Sequence, residues 1–353
     1  MTTVGMRHGR RVGGLAAALL AMLIAGAAPA AASSHPTYLT FIGNATMANP
    51  YVAIANVHGG DPRILGPGSS AMIAPDGALV AVVQTTDSGS GTSLVMYPAT
   101  GGSGRQLFEF SGFLTLLGWS ADSRLLLAFA PSPNDGAGSL LAISAATGAR
   151  NTIATGVIAG ASFSPSSSDD IVYGLAHSPA GASGNLYRSS PTGNEVDQIT
   201  HNGDSSNPLW GPHGIVFARQ HSRGSDEAPI SQLWQIQPNG TAEKQLTNIP
   251  VGPLVSGLVP IAFSADGEHL LAACEGEDTL ASWTVDLSGK TAVAHDLNDL
   301  YDGNKPDGIS RDGKTVLYST GFEGAPMSVD TVPWGGGKVT VLSTQGTNPS
   351  WNN

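Results

Sequence analysis

One phrase recurs along this chain of 353 residues, and it constrains the possible folds more than any other feature. Each copy has an apolar or aromatic residue, small residues, a turn that usually contains Asp, and then a short apolar run. The copies lie at 72–83, 118–129, 162–173, 209–217, 262–267 and 308–313, and the chain ends at 349–353 on the opening of the phrase alone. Periodic phrases are typical of solenoids and propellers. Because the chain also contains 46 Gly and 23 Pro, the repeat predicts short strands rather than long helices.

A second phrase alternates with the first and has the form of a β-hairpin, two short strands around a turn that contains Gly. Its turns lie at 59–60, 101–102, 147–148, 192–193, 239–240, 288–289 and 335–336. One opening phrase and one hairpin supply four strands, and the period of about 40 to 53 residues suits a four-stranded propeller blade. We therefore predict an all-β chain folded as a seven-bladed β-propeller.

The two ends of the chain are predicted to share the closing blade. The first hairpin follows a strand at 38–42 but has no opening phrase before it, whereas the last opening phrase, at 349–352, has no hairpin after it. Pairing these incomplete pieces makes one whole blade and removes the unpaired edges that a closed ring cannot leave. The C-terminal segment would then supply the innermost strand of that blade.

The turn of the recurring phrase resembles a known repeat. Ser-Ala-Asp-Gly at 264–267, Ser-Arg-Asp-Gly at 310–313 and Ala-Pro-Asp-Gly at 74–77 are similar to the opening strand and turn of WD40-like propeller repeats of the TolB type. The resemblance covers essentially the whole chain after the first 32 residues, and it implies a β-propeller. Since TolB itself resembles a six-bladed ring, six blades are the alternative to seven.

The first 32 residues predict export. Three arginines precede an apolar run at 15–24 and then small residues up to Ala32, which is the pattern of a secretory signal peptide. The run is shorter than the roughly 20 residues that a membrane span needs. We expect cleavage after Ala30 or Ala32, a single propeller domain at 33–353 and no transmembrane span. The mature protein would be secreted, periplasmic or on the exterior of the cell envelope.

Charge and cysteine content narrow the function further. The formal net charge is −11, and loss of the first 32 residues, which carry three arginines and no acid, makes it more negative. A surface of this sign repels phosphates, so we expect neither nucleic acid nor anionic lipid as the main partner. The only cysteine, Cys274, lies in an apolar stretch and is interpreted as a small buried thiol.

Two sets of polar residues are candidates for particular roles. Four aspartates occupy the same place in the repeat, and we interpret them as structural acceptors for the amides of their own turns: Asp76, Asp122, Asp266 and Asp312. The other set lies in segments predicted as long loops on one face of the ring, where rigid scaffolds carry function. We take it as a polar recognition surface: Arg219, His221, Arg223, Glu275 and Asp302.

One acidic stretch raises the hypothesis of metal binding. Asp296, Asp299, Asp302 and Asp307 form the densest acidic stretch of the chain, but their spacing does not match an EF-hand loop. No zinc-binding histidine pattern is present either. No cofactor is predicted, and Ca²⁺ is kept only as a possible ligand of this acidic stretch.

The sequence favours a binding role over catalysis. It contains no G-x-S-x-G nucleophile elbow, and the repeats leave no room for the hydrolase domain of prolyl-oligopeptidase-like enzymes. We therefore favour a secreted, monomeric, non-catalytic scaffold that binds a protein, a small molecule or a carbohydrate. The alternative is a lyase or hydrolase that acts on carbohydrate or a small molecule at the mouth of the channel, so the enzymatic question stays open.

Overall fold

The computed structural model describes residues 38–44, 49–86, 89, 91–133, 136–167, 170–178, 181–222, 229–250, 255–276, 280–289, 291–297, 304–321 and 327–352. The regular secondary structure in these ranges is β-strand, which confirms the all-β prediction. Within the same ranges, no helix is long and apolar enough to cross a membrane. The compact unit that holds them spans His35–Asn353, and the predicted signal peptide at 1–32 lies outside the described residues.

The two ends of the chain meet in one four-stranded antiparallel sheet, here called the terminal sheet. Its strands, in order across the sheet, are β27 (Thr347–Trp351), β1 (Tyr38–Gly43), β2 (Tyr51–Asn56) and β3 (Arg63–Pro67). Leu39 is paired with Trp351, and the Tyr38 amide donates a hydrogen bond to the side-chain oxygen of Asn352. The predicted pairing between the two ends of the chain is therefore present.

Two further antiparallel sheets have four consecutive strands each. The second sheet contains β4 (Ser70–Ile73), β5 (Leu79–Thr85), β6 (Thr92–Pro98) and β7 (Arg105–Phe110). The last sheet contains β23 (Lys305–Ile309), β24 (Thr315–Ser319), β25 (Val329–Pro333) and β26 (Thr340–Ser343). In both sheets the first two strands are joined by one of the predicted Asp-Gly turns.

The strands between these two sheets form one long sheet of fifteen strands, whereas the sequence predicts separate four-stranded blades. They are β8 (Thr115–Trp119), β9 (Leu125–Pro131), β10 (Gly138–Ser144), β11 (Arg150–Phe163), β12 (Ile171–Ser178), β13 (Gly181–Ser189), β14 (Asp197–Gln198), β15 (Ser205–Gly211), β16 (Gly214–His221), β17 (Ile230–Ile236), β18 (Lys244–Gln245), β19 (Val255–Phe263), β20 (His269–Gly276), β21 (Leu280–Asp286) and β22 (Val293–Asp296). The sheet is continuous because β11 pairs with β10 along its first half and with β12 along its second half. Single pairings of Gly184 with Ser205 and of Ser231 with Gly257 join the remaining strands.

The opening strand of most repeats carries a β-bulge, an extra residue that increases the local twist. The register shifts in the pairing of β8 with β9, β11 with β12, β15 with β16, β19 with β20, β23 with β24 and β27 with β1. Two of these bulges contain Asn-Pro, at 207–208 and 348–349, and both Asn residues have φ 47. Asn tolerates this left-handed conformation better than most residues. The C-terminal strand thus has the same local structure as an internal opening strand.

The apolar core is divided into clusters that lie between neighbouring groups of strands. One cluster is shared by the terminal and second sheets, and another by the second sheet and the start of the long sheet. A further cluster joins the last sheet to the terminal sheet through Leu317 and Val329, which pack with Leu39 and Phe41. Full burial of such a side chain contributes roughly 1.5–3 kcal/mol. The two ends of the chain are therefore held by apolar packing as well as by strand pairing.

The hairpin turns repeat one contact between neighbouring groups of strands. Gly148, Gly193 and Gly240 lie against backbone atoms of the preceding group, and Gly59 lies in the same way against Leu342 of β26. All four have φ between 75° and 79°, and an added Cβ would meet those backbone atoms at 3.2 Å or less. Glycine is required here for both its left-handed backbone and its lack of a side chain.

Candidate functional site

The repeated aspartates lie in the turns between first and second strands, and their carboxylates are engaged there. The Oδ1 atoms of Asp76, Asp122, Asp266 and Asp312 each accept a hydrogen bond from the amide two residues later, at 2.9 to 3.2 Å. In three turns, a serine two residues earlier also donates its hydroxyl to that oxygen: Ser120, Ser264 and Ser310. The serine hydrogen bonds, followed by the amides, lower the pKa of Asp266 and Asp312. Each carboxylate is therefore engaged by hydrogen bonds within its own turn.

Arg219 lies within β16, whereas the sequence predicts that it belongs to a loop. Its side chain is 5% exposed and forms two ion pairs, from Nε to Asp204 Oδ1 at 3.1 Å and from Nη2 to Glu243 Oε1 at 2.6 Å. The guanidinium also lies 4.5 Å from the ring centre of Trp234 and 5.2 Å from that of Phe217. Two carboxylates and two rings surround one buried cation, so Arg219 joins the segment before β15 and the segment before β18 to β16.

His221 ends β16 and lines a recess of about 420 Å³, here called the β16 recess. The Trp234 indole N–H donates a hydrogen bond to His221 Nε2 at 3.2 Å, which holds the imidazole in place. The other lining residues carry amides or apolar groups: Ile230, Gln232, Gln245, Asn248, Ile249 and Pro250. Gln232 is occupied, since its oxygen accepts the Thr247 hydroxyl and its nitrogen donates to the Ile249 carbonyl. Gln245 also donates its amide nitrogen to the Thr247 carbonyl, so Asn248 is the main amide that the recess presents beside its apolar wall.

Glu275 lies on β20 of the long sheet, where it is exposed to solvent. Its neighbour Cys274 is buried, as the sequence indicates. Desolvation by burial raises the pKa of the Cys274 thiol to about 11, and the charges of Asp296 and Glu275 add to this effect. A thiol that stays protonated at neutral pH is a poor nucleophile, so Cys274 serves packing rather than covalent chemistry.

Asp307, one member of the acidic stretch, is buried in the last sheet and has partners there. Lys305 Nζ lies 3.1 Å from its Oδ1, and the Ser319 hydroxyl donates to its Oδ2 at 2.7 Å. Burial raises the pKa of Asp307, although Lys305 and Ser319 act in the opposite direction. The carboxylate therefore has a structural cation instead of an open coordination site.

Asp330 on β25 is a buried acid that sequence reasoning missed. It accepts a hydrogen bond from Ser328, whereas its Oδ1 has no hydrogen-bond partner among the described residues. Burial raises the pKa of Asp330, and burial together with Asp330 also raises the pKa of the paired Tyr318 phenol. The only sequence signal for its burial is that Asp330 lies in a run of β-branched residues, two positions before Val332 and so on the same face of the strand.

The predicted recognition surface is only partly brought together by the structure. Arg219 and His221 share one face of β16 and meet at Trp234, while Glu275 lies on a different strand. Arg223 and Asp302 lie outside the described residues. Across the described part of the chain, no group of three or more His, Cys, Asp or Glu side chains is placed to hold a metal ion.

The comparisons with known proteins identify the fold. No protein-family model matches the chain, and no curated protein matches it in sequence. TolB from Acinetobacter baumannii is similar in structure, with a TM-score of 0.53 and 16% identity over 91% of this chain and 84% of that chain. The β-propeller domain of the Trilobed protease from Pyrococcus furiosus has a TM-score of 0.56 and 14% identity, covering 78% of this chain and 84% of that one. The chain therefore has a TolB-like β-propeller fold, and the resemblance drawn from the Asp-Gly turns is confirmed.

Enzymes with the same fold are also similar in structure. Oligogalacturonate lyase in complex with manganese has a TM-score of 0.59 and 11% identity, covering 80% of this chain and 82% of that one. The acylaminoacyl peptidase of Pyrococcus horikoshii has a TM-score of 0.60 and 12% identity over 87% of this chain. This chain spans 50% of that peptidase. At such low identity the likeness is evidence of a common fold alone and does not bear on activity.

Proposed function

We propose that the protein is an exported, non-catalytic seven-bladed β-propeller that binds a protein partner at the β16 recess. The observation that carries this proposal is the chemistry of the recess, which combines uncharged hydrogen-bonding groups with an apolar wall. Such a surface suits the amides and carbonyls of a polypeptide segment, because charged residues are depleted at the cores of protein interfaces. The predicted signal peptide at 1–32 supports export.

The strand order supports seven blades joined in a ring. Three sheets have four strands, and the fifteen-stranded sheet divides into four groups if β11 is shared between two of them. The last and terminal sheets are joined by the Leu317–Leu39 cluster, by the contact of Gly59 with Leu342 and by a hydrogen bond from Lys305 to Asn348. These contacts are of the kind found between internal groups of strands.

The position of the recess supports recognition by loops. Asn248 follows β18, in the segment that leads to the next repeat, and His221 begins the segment between β16 and β17. In a propeller these two kinds of connection lie at the same end of the strands, and loops on a rigid scaffold commonly carry binding residues. The ion pairs of Arg219 fix β16 directly beneath this end.

Photo-crosslinking in cells that naturally make the protein tests this proposal. A photoreactive amino acid is placed at Asn248, which is exposed at the rim of the recess, and its matched control is placed at exposed Lys314 in an Asp-Gly turn at the other end of the strands. We expect a protein adduct from position 248 and none of the same mass from position 314. The absence of an adduct at 248, or the same adduct from both positions, would argue against a partner at the recess.

A further inference from the structure

A second cavity lies between the last sheet and the terminal sheet, at the end of the strands that carries the Asp-Gly turns. This cleft has a volume of about 570 Å³, within the range that small organic ligands occupy. Trp351 of β27 and Leu342 of β26 supply apolar surface, and Thr331 and Thr340 supply hydrogen-bonding groups. The cleft thus has the mixture of an aromatic wall and polar groups that is typical of ligand sites.

The rim of this cleft carries positive charge, although the chain as a whole is acidic, with 27 acidic and 16 basic residues. The two cations are Arg311 and Lys338, which line the cleft and are exposed. Neither Arg311 nor Lys338 forms an ion pair with a described residue, so both cations are available to a ligand.

The one carboxylate among the described lining residues is already occupied. Asp312 accepts hydrogen bonds from the Ser310 hydroxyl and the Lys314 amide, and Lys314 Nζ lies 3.3 Å from its Oδ2. Lys314, which is not a lining residue, thus pairs with this carboxylate. Arg311 and Lys338 have no ion-pair partner among the described residues.

We propose that the cleft binds a small organic anion with a planar apolar body and a carboxylate or phosphate group. The Arg311 guanidinium can pair with such a group through two parallel hydrogen bonds, and the Lys338 ammonium adds a second charge. The planar body packs on Trp351 and Leu342. Because the lining residues come from both the last and the terminal sheets, the bound anion stabilises the junction between the two ends of the chain.

Fluorine NMR of protein labelled with 5-fluorotryptophan tests the site without knowledge of the natural ligand. Phenyl phosphate and benzoate serve as the anionic probes, and benzyl alcohol is the neutral control. The Trp351 resonance is assigned with Trp351→Phe or, if that variant does not fold, by elimination with single variants of the five other tryptophans. The unfolding temperature is measured with each probe in parallel.

We expect at least one anion to shift the Trp351 resonance saturably and to raise the unfolding temperature, while benzyl alcohol does neither. The double variant Arg311→Gln/Lys338→Gln should weaken binding by about tenfold or more. Arg124→Gln, which changes an exposed cation whose partner Asp122 does not line the cleft, should leave the affinity within about twofold. Equal shifts with benzyl alcohol, no shift with either anion at about 10 mM, or unchanged affinity in the double variant would overturn the proposal.

Discussion

Lys305 joins the last sheet to the strand that ends the chain, because its Nζ lies 2.8 Å from Oδ1 of Asn348. The same ammonium lies 3.1 Å from Oδ1 of Asp307, whose side chain is 5% exposed. Asn348 occupies the left-handed position of the β27 bulge. One lysine thus balances a buried carboxylate and holds the bulge of the C-terminal strand.

Lys305→Ala should lower the free energy of unfolding by about 1–2 kcal/mol at pH 7, a value reduced because the lysine side chain is half exposed. The variant leaves Asp307 buried without its cation, so the pKa of Asp307, already raised by burial, should rise further. A raised carboxyl pKa costs stability as the pH rises through it, so the loss should be smaller near pH 3 than at pH 7. Urea unfolding at both pH values measures this difference.

The matched control is Lys314→Ala, whose exposed pair with Asp312 should contribute less than about 0.5 kcal/mol. Equal losses in the two variants would contradict the role of Lys305.

Arg219→Ala should destabilise the protein by about 2–4 kcal/mol, because it leaves Asp204 and Glu243 without their buried cation and removes the packing on Trp234. The matched control is Arg124→Ala, since the Arg124 side chain is 83% exposed and lies 3.7 Å from Asp122. That change should cost less than about 0.5 kcal/mol. Denaturant unfolding of both variants checks the prediction, and a loss for Arg219→Ala as small as that for Arg124→Ala would show that the buried pairs are unimportant.

The pH dependence of stability should change in opposite directions in two aspartate variants. The pKa of Asp330 is raised in the folded state, so its contribution to stability is lost as the pH rises through that value. Asp330→Asn removes this loss and should gain stability relative to the parent as the pH goes from 4 to 8. The pKa of Asp312 is lowered, so its contribution is present above the unfolded value and is lost in acid. Asp312→Asn should therefore lose stability relative to the parent as the pH rises from about 2 to 5, the window around the unfolded pKa. Thermal unfolding across each window gives both slopes, and slopes of the same sign would refute the two assignments.

The Ser-x-Asp turns allow a loss and a gain of folding stability to be compared at equivalent positions of the repeat. Ser264 is 1% exposed, donates to Asp266 and accepts the His269 amide, so Ser264→Ala should cost about 1–2 kcal/mol. The first copy of the turn has buried Ala74 at this place, and Ala74→Ser should gain about 0.5 kcal/mol by supplying the missing hydroxyl to Asp76. Chemical denaturation measures both changes. If Ser264→Ala left the free energy of unfolding unchanged, the hydroxyl would not stabilise the turn.

The local features of the fold could be predicted from the sequence because they depend on neighbouring residues. The Asp-Gly turns, the Gly-containing hairpins and the pairing of the two chain ends all follow from short phrases that repeat. The continuity of β11 could not be predicted in this way. The segment 150–163 contains two glycines, which look like breaks, yet Gly156 and Gly160 adopt left-handed conformations inside the strand.

The candidate site was harder to predict because its contacts join residues that are distant in the chain. The charged residues that follow Arg219 predict a loop, although the alternation of Arg219 with Phe217 in an apolar run is the signal of a strand position. Its partners Asp204 and Glu243 belong to other segments, and no spacing rule connects them. The burial of Asp330 likewise depends on packing between sheets, which the sequence of β25 alone does not reveal.

The pairing of β1 with β27 is tested most directly by a disulfide between Thr40 and Ser350, which are paired across these two strands. Paired positions on antiparallel strands have the Cα separation that a disulfide requires. We predict that Thr40→Cys/Ser350→Cys forms an intrachain disulfide in the folded protein and raises the denaturation midpoint, while either single variant does not. Buried Cys274, with a pKa of about 11, should not compete. Cysteines that stay reduced in the folded protein, or that join only between separate chains, would contradict closure by the chain ends.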